Sequence, residues 1–358
     1  MKSERLHQRR WPHGHLLFLL LATLIVVGVG LRVLLESSSE LLTAADNLTN
    51  LRGPWLAAAA GAEAASYLLY GLAVRQLLRS GGAPGVALLP LTAVGVASQA
   101  GAYCLPGGVA VSGTMTFRRL SRRGVDPALI GWMLALSTAL YLAALAALAL
   151  IGAELAGDSS NSVPDLRGTS LVLLGLLAGS AQVLYLIRHL QLPDRCLRWC
   201  AAWLDRAAGR LRSRQDSPAT PLSDWIDHLG HIHVSRGALA RSGGLLVLVW
   251  LADALCLALA FATLGSEPPW RGLLLAYSAA QLAAMLPFTP GGLGVVEGSL
   301  TIALVAYGGS AQTSLSAVLL YRLISFWGLL PAGAACYSVL RWQERRLPFA
   351  HPSEVTHA

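Results

Sequence analysis

The feature that most constrains this chain is the recurrence of apolar stretches long enough to cross a bilayer. A hydrocarbon core of about 30 Å needs about 20 apolar residues in helical form. Such stretches run near 16 to 35, 54 to 74, 127 to 152, 168 to 187, 243 to 264 and 311 to 340. Two more, 85 to 104 and 272 to 288, end at prolines. With 54% hydrophobic and only 13% charged residues, the composition departs from that of a soluble domain. The chain therefore reads as an all-α polytopic membrane protein. Its basic start followed by apolar residues imitates a signal peptide, but no small-residue cleavage site follows and the run reaches spanning length, so it reads as the first membrane helix.

The net charge of +8 does not point to nucleic acid, because Lys and Arg are confined to the ends and connections of apolar segments, where they set orientation. The head "MKSERLHQRRW" (1–15 forming a basic cytoplasmic N-terminus), "RRLSRRG" at 118 to 124, the Arg-rich connection 188–242 and the tail 341–358 are assigned inside. The acidic or polar loops 36 to 53, 153 to 167 and 265 to 271 are assigned outside. Both termini then lie in the cytoplasm and the expected location is the cell inner membrane, multi-pass.

"PGG" occurs at 106 to 108 and again at 290 to 292. Aligning the two, an offset of 290 − 106 = 184, superposes Gly124 on Gly308 and the long apolar helices that follow. With the charge-derived orientation, 16–152 and 168–340 become two units of opposite sense, an inverted repeat of the kind that builds many carriers. The expectation is six full transmembrane helices plus two broken or re-entrant hairpins, or eight nominal crossings. Residues 107 to 117 make roughly 16 Å of helix at about 1.5 Å per residue, too little to cross. The second half-helix, read over 291 to 308, is longer and would nearly cross.

Proline has no amide hydrogen and Pro-Gly-Gly cannot continue a helix, so each motif ends one segment and starts another inside the bilayer. Irregular backbone at that depth is tolerated where it lines a cavity, and a helix N-terminus presents free N–H groups and about half a positive charge. Pro106, Gly107, Gly108, Pro290, Gly291, Gly292 and Gly294 are thus candidate binding positions for an anion that visits the membrane interior. An anionic lipid, whether phospholipid or lipid-linked phosphate, fits that description. The competing reading is a pair of kinks packed on their neighbours.

Ionisable residues inside apolar segments usually face a bundle interior and pair. Glu297 and Arg322 are the expected pair, with Arg322 either a head-group binder or the counter-ion of Glu297. Glu63 and Asp253, at similar places in the two units, are candidates for cavity lining or proton coupling, against simple internal pairing. Gln99, Tyr277 and Gln281 precede the breaks and are expected to satisfy freed backbone groups. Arg118 and Arg119 mark the cytoplasmic interface or capture phosphate at a cytoplasmic entrance.

Within 191 to 242, Leu192, Leu197, Cys200, Leu204, Ala208 and Leu211 recur near helical spacing among a crowd of arginines, an amphipathic basic helix suited to anionic lipid, against a solvated surface helix. The histidines within 224 to 237 lack the spacing of a metal site, and Cys196 with Cys200, one helical turn apart, read as small packed hydrophobes before a metal or redox pair. No metal and no cofactor is expected. No phosphate-binding loop, dinucleotide fingerprint, zinc helix or nucleophile elbow is found, and no stretch leaves room for a large soluble catalytic domain. Three functions follow from the residues: a lipid flippase or transporter that is not an enzyme, an intramembrane transferase on lipid-linked substrates, or an assembly subunit for a separate lipid- or glycan-modifying enzyme.

"LPFTPGGLGVVEG", 286 to 298, followed by "YRLISFWGLLP", 321 to 331, resembles the signature of the flippase-like membrane domain of lysylphosphatidylglycerol synthase/flippases and of stand-alone membrane proteins of that type. The residues that carry it are Pro290, Gly291, Gly292, Gly294, Glu297, Arg322 and Pro331. The resemblance implies a polytopic bundle that moves or accommodates lipid head groups. Two-domain relatives add a soluble C-terminal domain that transfers an aminoacyl group, and that activity is not expected of this sequence, which ends in a short tail. Gly113 stands opposite Glu297 under the offset, so the two breaks are not chemically equivalent.

Overall fold

The computed structural model describes residues 51–83, 85–104, 108–157, 235–285 and 290–346. The expected helices at 16 to 35 and 168 to 187, the Arg-rich connection as far as 234, Pro106 and Gly107 lie outside the described residues. Within them every element is helical: α1 (Gly53–Ser80), α2 (Leu88–Cys104), α3 (Gly108–Ser121), α4 (Pro127–Ala156), α5 (Arg236–Thr263), α6 (Trp270–Ala284), a 3-10 turn (Pro290–Gly292), α7 (Val295–Ala306), α8 (Ala311–Arg322), a π-helical turn (Leu323–Trp327) and α9 (Leu329–Arg346).

Local chemistry explains where the long helices begin. Asp126 accepts from the Leu129 amide with Pro127 in the first turn, and Ser235 and Ser310 cap α5 and α8 in the same way through Ala238 and Thr313. A side-chain oxygen at this position satisfies an amide the helix cannot. Gly124 (φ +78°) stands two residues before Asp126, and Gly308 (φ +95°) two residues before Ser310. The two turns, 184 residues apart, are thus built alike.

α1, α4, α5 and the continuous rod Ala311–Gln343 are each long and apolar enough to cross a membrane, which makes this a multi-pass membrane protein. The helices beside the two motifs are shorter. α2, α3, α6 and α7 have 17, 14, 15 and 12 residues, or roughly 18 to 26 Å at about 1.5 Å per residue. None of them alone matches about 30 Å of hydrocarbon. The second half-helix is therefore shorter than read from the sequence, because left-handed glycines hold the chain in turns until Val295.

The rod Ala311–Gln343 is not uniform. The Gly328 amide bonds to the Leu323 carbonyl at 2.8 Å, five residues back, which marks a π turn directly after Arg322.

Packing places α1 and α5 side by side in the most extensive helix contact among the described residues, followed by α4 with α6 and α2 with α9. The main apolar core draws on α1, α4, α5, α6, α7 and α8, with Leu145, Leu246, Leu257, Phe261, Leu300 and Val318 at its centre. Trp250 on α5 stacks on Tyr141 of α4 at 4.2 Å and donates its indole N–H to the Tyr141 carbonyl at 3.0 Å. Without a water-driven hydrophobic term, membrane helices associate through close van der Waals approach. Gly152 of α4 provides one: a Cβ there would lie 2.6 Å from the backbone nitrogen of Leu275 on α6. Gly333 of α9 does the same against Ala100 of α2.

Gly-to-Ala exchange inside a helix ordinarily stabilises by about 1 kcal/mol. Gly152→Ala should instead destabilise by about 1–3 kcal/mol, since backbone cannot give way to a new methyl as a flexible side chain would. Gly61→Ala on α1, where a Cβ meets nothing within 4 Å, should keep the ordinary sign. Thermal unfolding of the two variants in detergent compares them.

Candidate functional site

The second Pro-Gly-Gly motif is a turn of left-handed glycines: Gly291, Gly292 and Gly294 have φ of +61°, +69° and +80°. Only glycine takes that region without strain. At Gly291 the restriction is double, because an added Cβ would run into the Phe326 ring. α7 then starts at Val295 and places Glu297 in its first turn.

Glu297 serves two neighbours at once. Its Oε2 accepts from the Gly294 amide at 2.7 Å, and its Oε1 accepts from Arg322 Nε at 2.7 Å. The carboxylate thus caps its own helix, one half of a capping box, and pairs with a cation on α8. Arg322, only 6% exposed, also donates from Nη2 to the Gly291 carbonyl at 3.0 Å and lies 4.6 Å over the Phe326 ring. Glu297 and Arg322 are therefore the ion pair expected from the sequence. In this conformation Arg322 is the counter-ion of Glu297 and a brace for the glycine turn.

A second polar group lies next to it along α8. Asp253 of α5 accepts at Oδ2 from the Tyr277 hydroxyl at 2.6 Å and from Gln281 Nε2 at 3.1 Å, and Gln281 Nε2 also donates to the Tyr321 hydroxyl at 3.0 Å. Tyr277 and Gln281 stand one helical turn apart on α6 and turn to this carboxylate. The bonds they make among the described residues are to Asp253 and Tyr321; the backbone of the break at 286 to 289, which the sequence suggested they serve, lies outside the described residues. Glu63 of α1, 7% exposed, lies within hydrogen-bonding reach of Asp253 and of Tyr67. Gln99 reaches the hydroxyl of Tyr103, which stacks on Phe326 at 5.0 Å. Tyr67, Tyr103 and Tyr321 were missed in the sequence. The signal was there for Tyr67 and Tyr103: each stands four residues after a polar side chain, Glu63 and Gln99, on one helical face.

The remaining candidates fall elsewhere. Gly108 opens α3, while Arg118 and Arg119 sit in its last turn, about 15 Å along the helix. Arg118 is exposed, and Arg119 is buried with its guanidinium 4.8 Å over the Tyr337 ring of α9. Two cavities open at helix ends. One of about 570 Å³ is lined by Gly82, Val86, Pro90, Arg123, Gly124 and Asp126. The other, of about 340 Å³, is lined by Ser266, Glu267, Pro269, Tyr307, Gly308 and Ser310. Neither is lined by Glu297 or Arg322.

Residues 16–333 match the family described as "Lysylphosphatidylglycerol synthase TM region". Two proteins of Methanothermobacter thermautotrophicus, each described as a "UPF0104 membrane protein", are 32% identical over 88 residues and 33% identical over 95 residues. These stretches are 25% and 26% of this chain and 26% and 28% of the relatives. The chain thus spans about a quarter of the length of the curated relatives it matches.

Removing one member of a buried ion pair costs about 3–5 kcal/mol, because the other charge is left without a partner. Glu297→Gln should fall in that range, since it leaves Arg322 charged and buried. Arg322→Met should cost less, because the start of α7 still stabilises the carboxylate. The double variant should recover much of the loss. Unfolding in detergent, read as a double-mutant cycle, measures the coupling.

Proposed function

Because the chain belongs to the lysylphosphatidylglycerol synthase transmembrane-region family, we propose that it moves anionic lipid head groups, of phospholipid or lipid-linked phosphate, through a mid-membrane site between its broken helices. On this reading it is a carrier and not an enzyme, and it works in the inner membrane with both termini inside. The observation that carries the proposal is the ion pair of half-buried Glu297 with buried Arg322 on the glycine turn. Glu297 lies nine residues from the end of α7 and Arg322 eleven residues from the start of α8, about 14 and 17 Å at about 1.5 Å per residue. Both distances favour a site near half the thickness of about 30 Å.

Glu297 then acts as a resident anion. It takes the Gly294 amide and the Arg322 guanidinium, the donor types that recognise a phosphate oxygen. A head group arriving at Gly291, Gly292 and Gly294 would compete for the same donors, so binding is an exchange of one anion for another. Arg322 is counter-ion in the empty state and head-group ligand in the loaded one. The first unit's motif would supply the other half; of its three residues the structure describes Gly108, which opens α3, and no carboxylate stands at the position equivalent to Glu297.

Two-way access calls for an inverted repeat, and several features support one. The Gly124–Asp126 and Gly308–Ser310 turns share their geometry. α4 packs on α6 as α9 packs on α2, which is one contact seen from either unit. The two cavities are lined by residues near 82 to 90 with 123 to 126, and near 266 to 269 with 307 to 310, positions related by the same offset. Under the charge-derived orientation they would be vestibules on opposite faces.

The test is reconstitution in liposomes with labelled phosphatidylglycerol. Wild type should exchange lipid between leaflets well above empty liposomes, and Arg322→Met should lower the rate at least tenfold. A wild type no faster than empty liposomes, or a folded Arg322→Met as fast as wild type, rejects the proposal. A new lipid product formed by the purified chain would favour the transferase alternative.

A further inference from the structure

Glu63 and Asp253 face each other across the α1–α5 contact, and the polar group around them leaves one of their needs unmet. Asp253 Oδ2 has its donors in Tyr277 and Gln281. Asp253 Oδ1 and Glu63 Oε2 are buried and have none among the described residues. The two carboxyl groups are within hydrogen-bonding reach of each other. A carboxylate only accepts, so a contact between two of them becomes a hydrogen bond only with a proton on one. Two bare carboxylates side by side in a membrane interior would combine like-charge repulsion with desolvation of both.

Among the described residues, the surroundings supply no second positive charge to replace that proton. Facing the pair are Tyr67 on α1, Tyr103 on α2, Tyr141 on α4, Cys256 on α5, Tyr277 on α6, and Tyr321 and Arg322 on α8. Arg322 is the cation in that set, and its Nε and Nη2 are engaged by Glu297 and Gly291. A metal ion fits poorly. Hard cations want six or so oxygen ligands, whereas Tyr277 and Gln281 aim hydrogens at Asp253. Among the described residues no three Asp, Glu, His or Cys side chains gather as a metal cage.

We propose that Glu63 and Asp253 form a proton-binding site in which the two carboxyls share one exchangeable proton, and that loading and releasing it drives the lipid movement. The second clause rests on the transport reading above. The step is a plain proton transfer: a carboxylic acid gives H⁺ to water and becomes a carboxylate, and the reverse loads it, with no electron moved and no heavy-atom bond changed. The site also couples naturally to the ion pair, because Gln281 bridges Asp253 to Tyr321, the residue next to Arg322.

Infrared spectroscopy of the purified full chain tests the site without any lipid movement. Wild type at neutral pH should show a protonated-carboxyl C=O band that is lost as pH rises, and the band should be missing in both Glu63→Gln and Asp253→Asn. Each variant keeps the side-chain shape and supplies an N–H in place of the shared proton, so both should fold. A band that survives both substitutions, that is missing from wild type, that does not respond to pH, or that moves with sodium at fixed pH overturns the proposal. In liposomes an imposed pH difference should change the wild-type lipid rate severalfold and leave the Glu63→Gln rate unchanged. A wild type that moves lipid at one rate whatever the pH difference overturns the driving role. A wild type that keeps the titrating band but moves no lipid rejects the transport reading and leaves the proton site standing.

Discussion

A turn that interrupts two helices must find partners for its backbone within the protein wherever water is excluded. In this chain one ion pair answers that demand. Arg322 holds the Gly291 carbonyl, Glu297 holds the Gly294 amide, and the two side chains hold each other. The turn before α7 is left neutral and bonded on both sides. An arginine suits this better than a lysine, since its planar fork can address a carboxylate and a carbonyl from different nitrogens. The remaining architecture is arranged around that point: α7 is short because the turn takes up its first residues, and Phe326 is set by the π turn to lie under the guanidinium.

The same demand explains why polar side chains gather where they do. An isolated acid in an apolar helix is expensive, so intramembrane acids lie beside hydroxyls, amides or cations. α5 brings Asp253, α6 brings Tyr277 and Gln281, α1 brings Glu63, and α8 brings Tyr321 and Arg322. Six of the residues picked out from the sequence thus meet in one neighbourhood: Glu63, Asp253, Tyr277, Gln281, Glu297 and Arg322. Arg118 and Arg119 do not join them, since the last turn of α3 carries them to a helix end.

What was legible in the sequence is what depends on composition and spacing. Spanning segments, broken segments and the pairing of two lone opposite charges follow from the cost of polar groups in lipid, and that cost is readable from residue type. What was not legible depends on backbone geometry or on distance along the chain. The start of α7 is set by left-handed glycines whose conformation no periodicity reports. The π turn has no local composition of its own. Tyr277 and Gln281 precede the broken backbone in sequence, and only the approach of α5, some 25 residues earlier, shows that both donate to Asp253.

The π turn has one more effect. It holds a surplus residue relative to the helix on either side, and a residue in an α-helix corresponds to about 100° of rotation. Everything after Trp327 is therefore phased about a quarter-turn or more away from where an unbroken rod would set it. That phase brings Gly333 against α2 and Tyr337 under Arg119, so the way α9 meets the first half of the molecule is indexed to a single extra residue beside the arginine of the second.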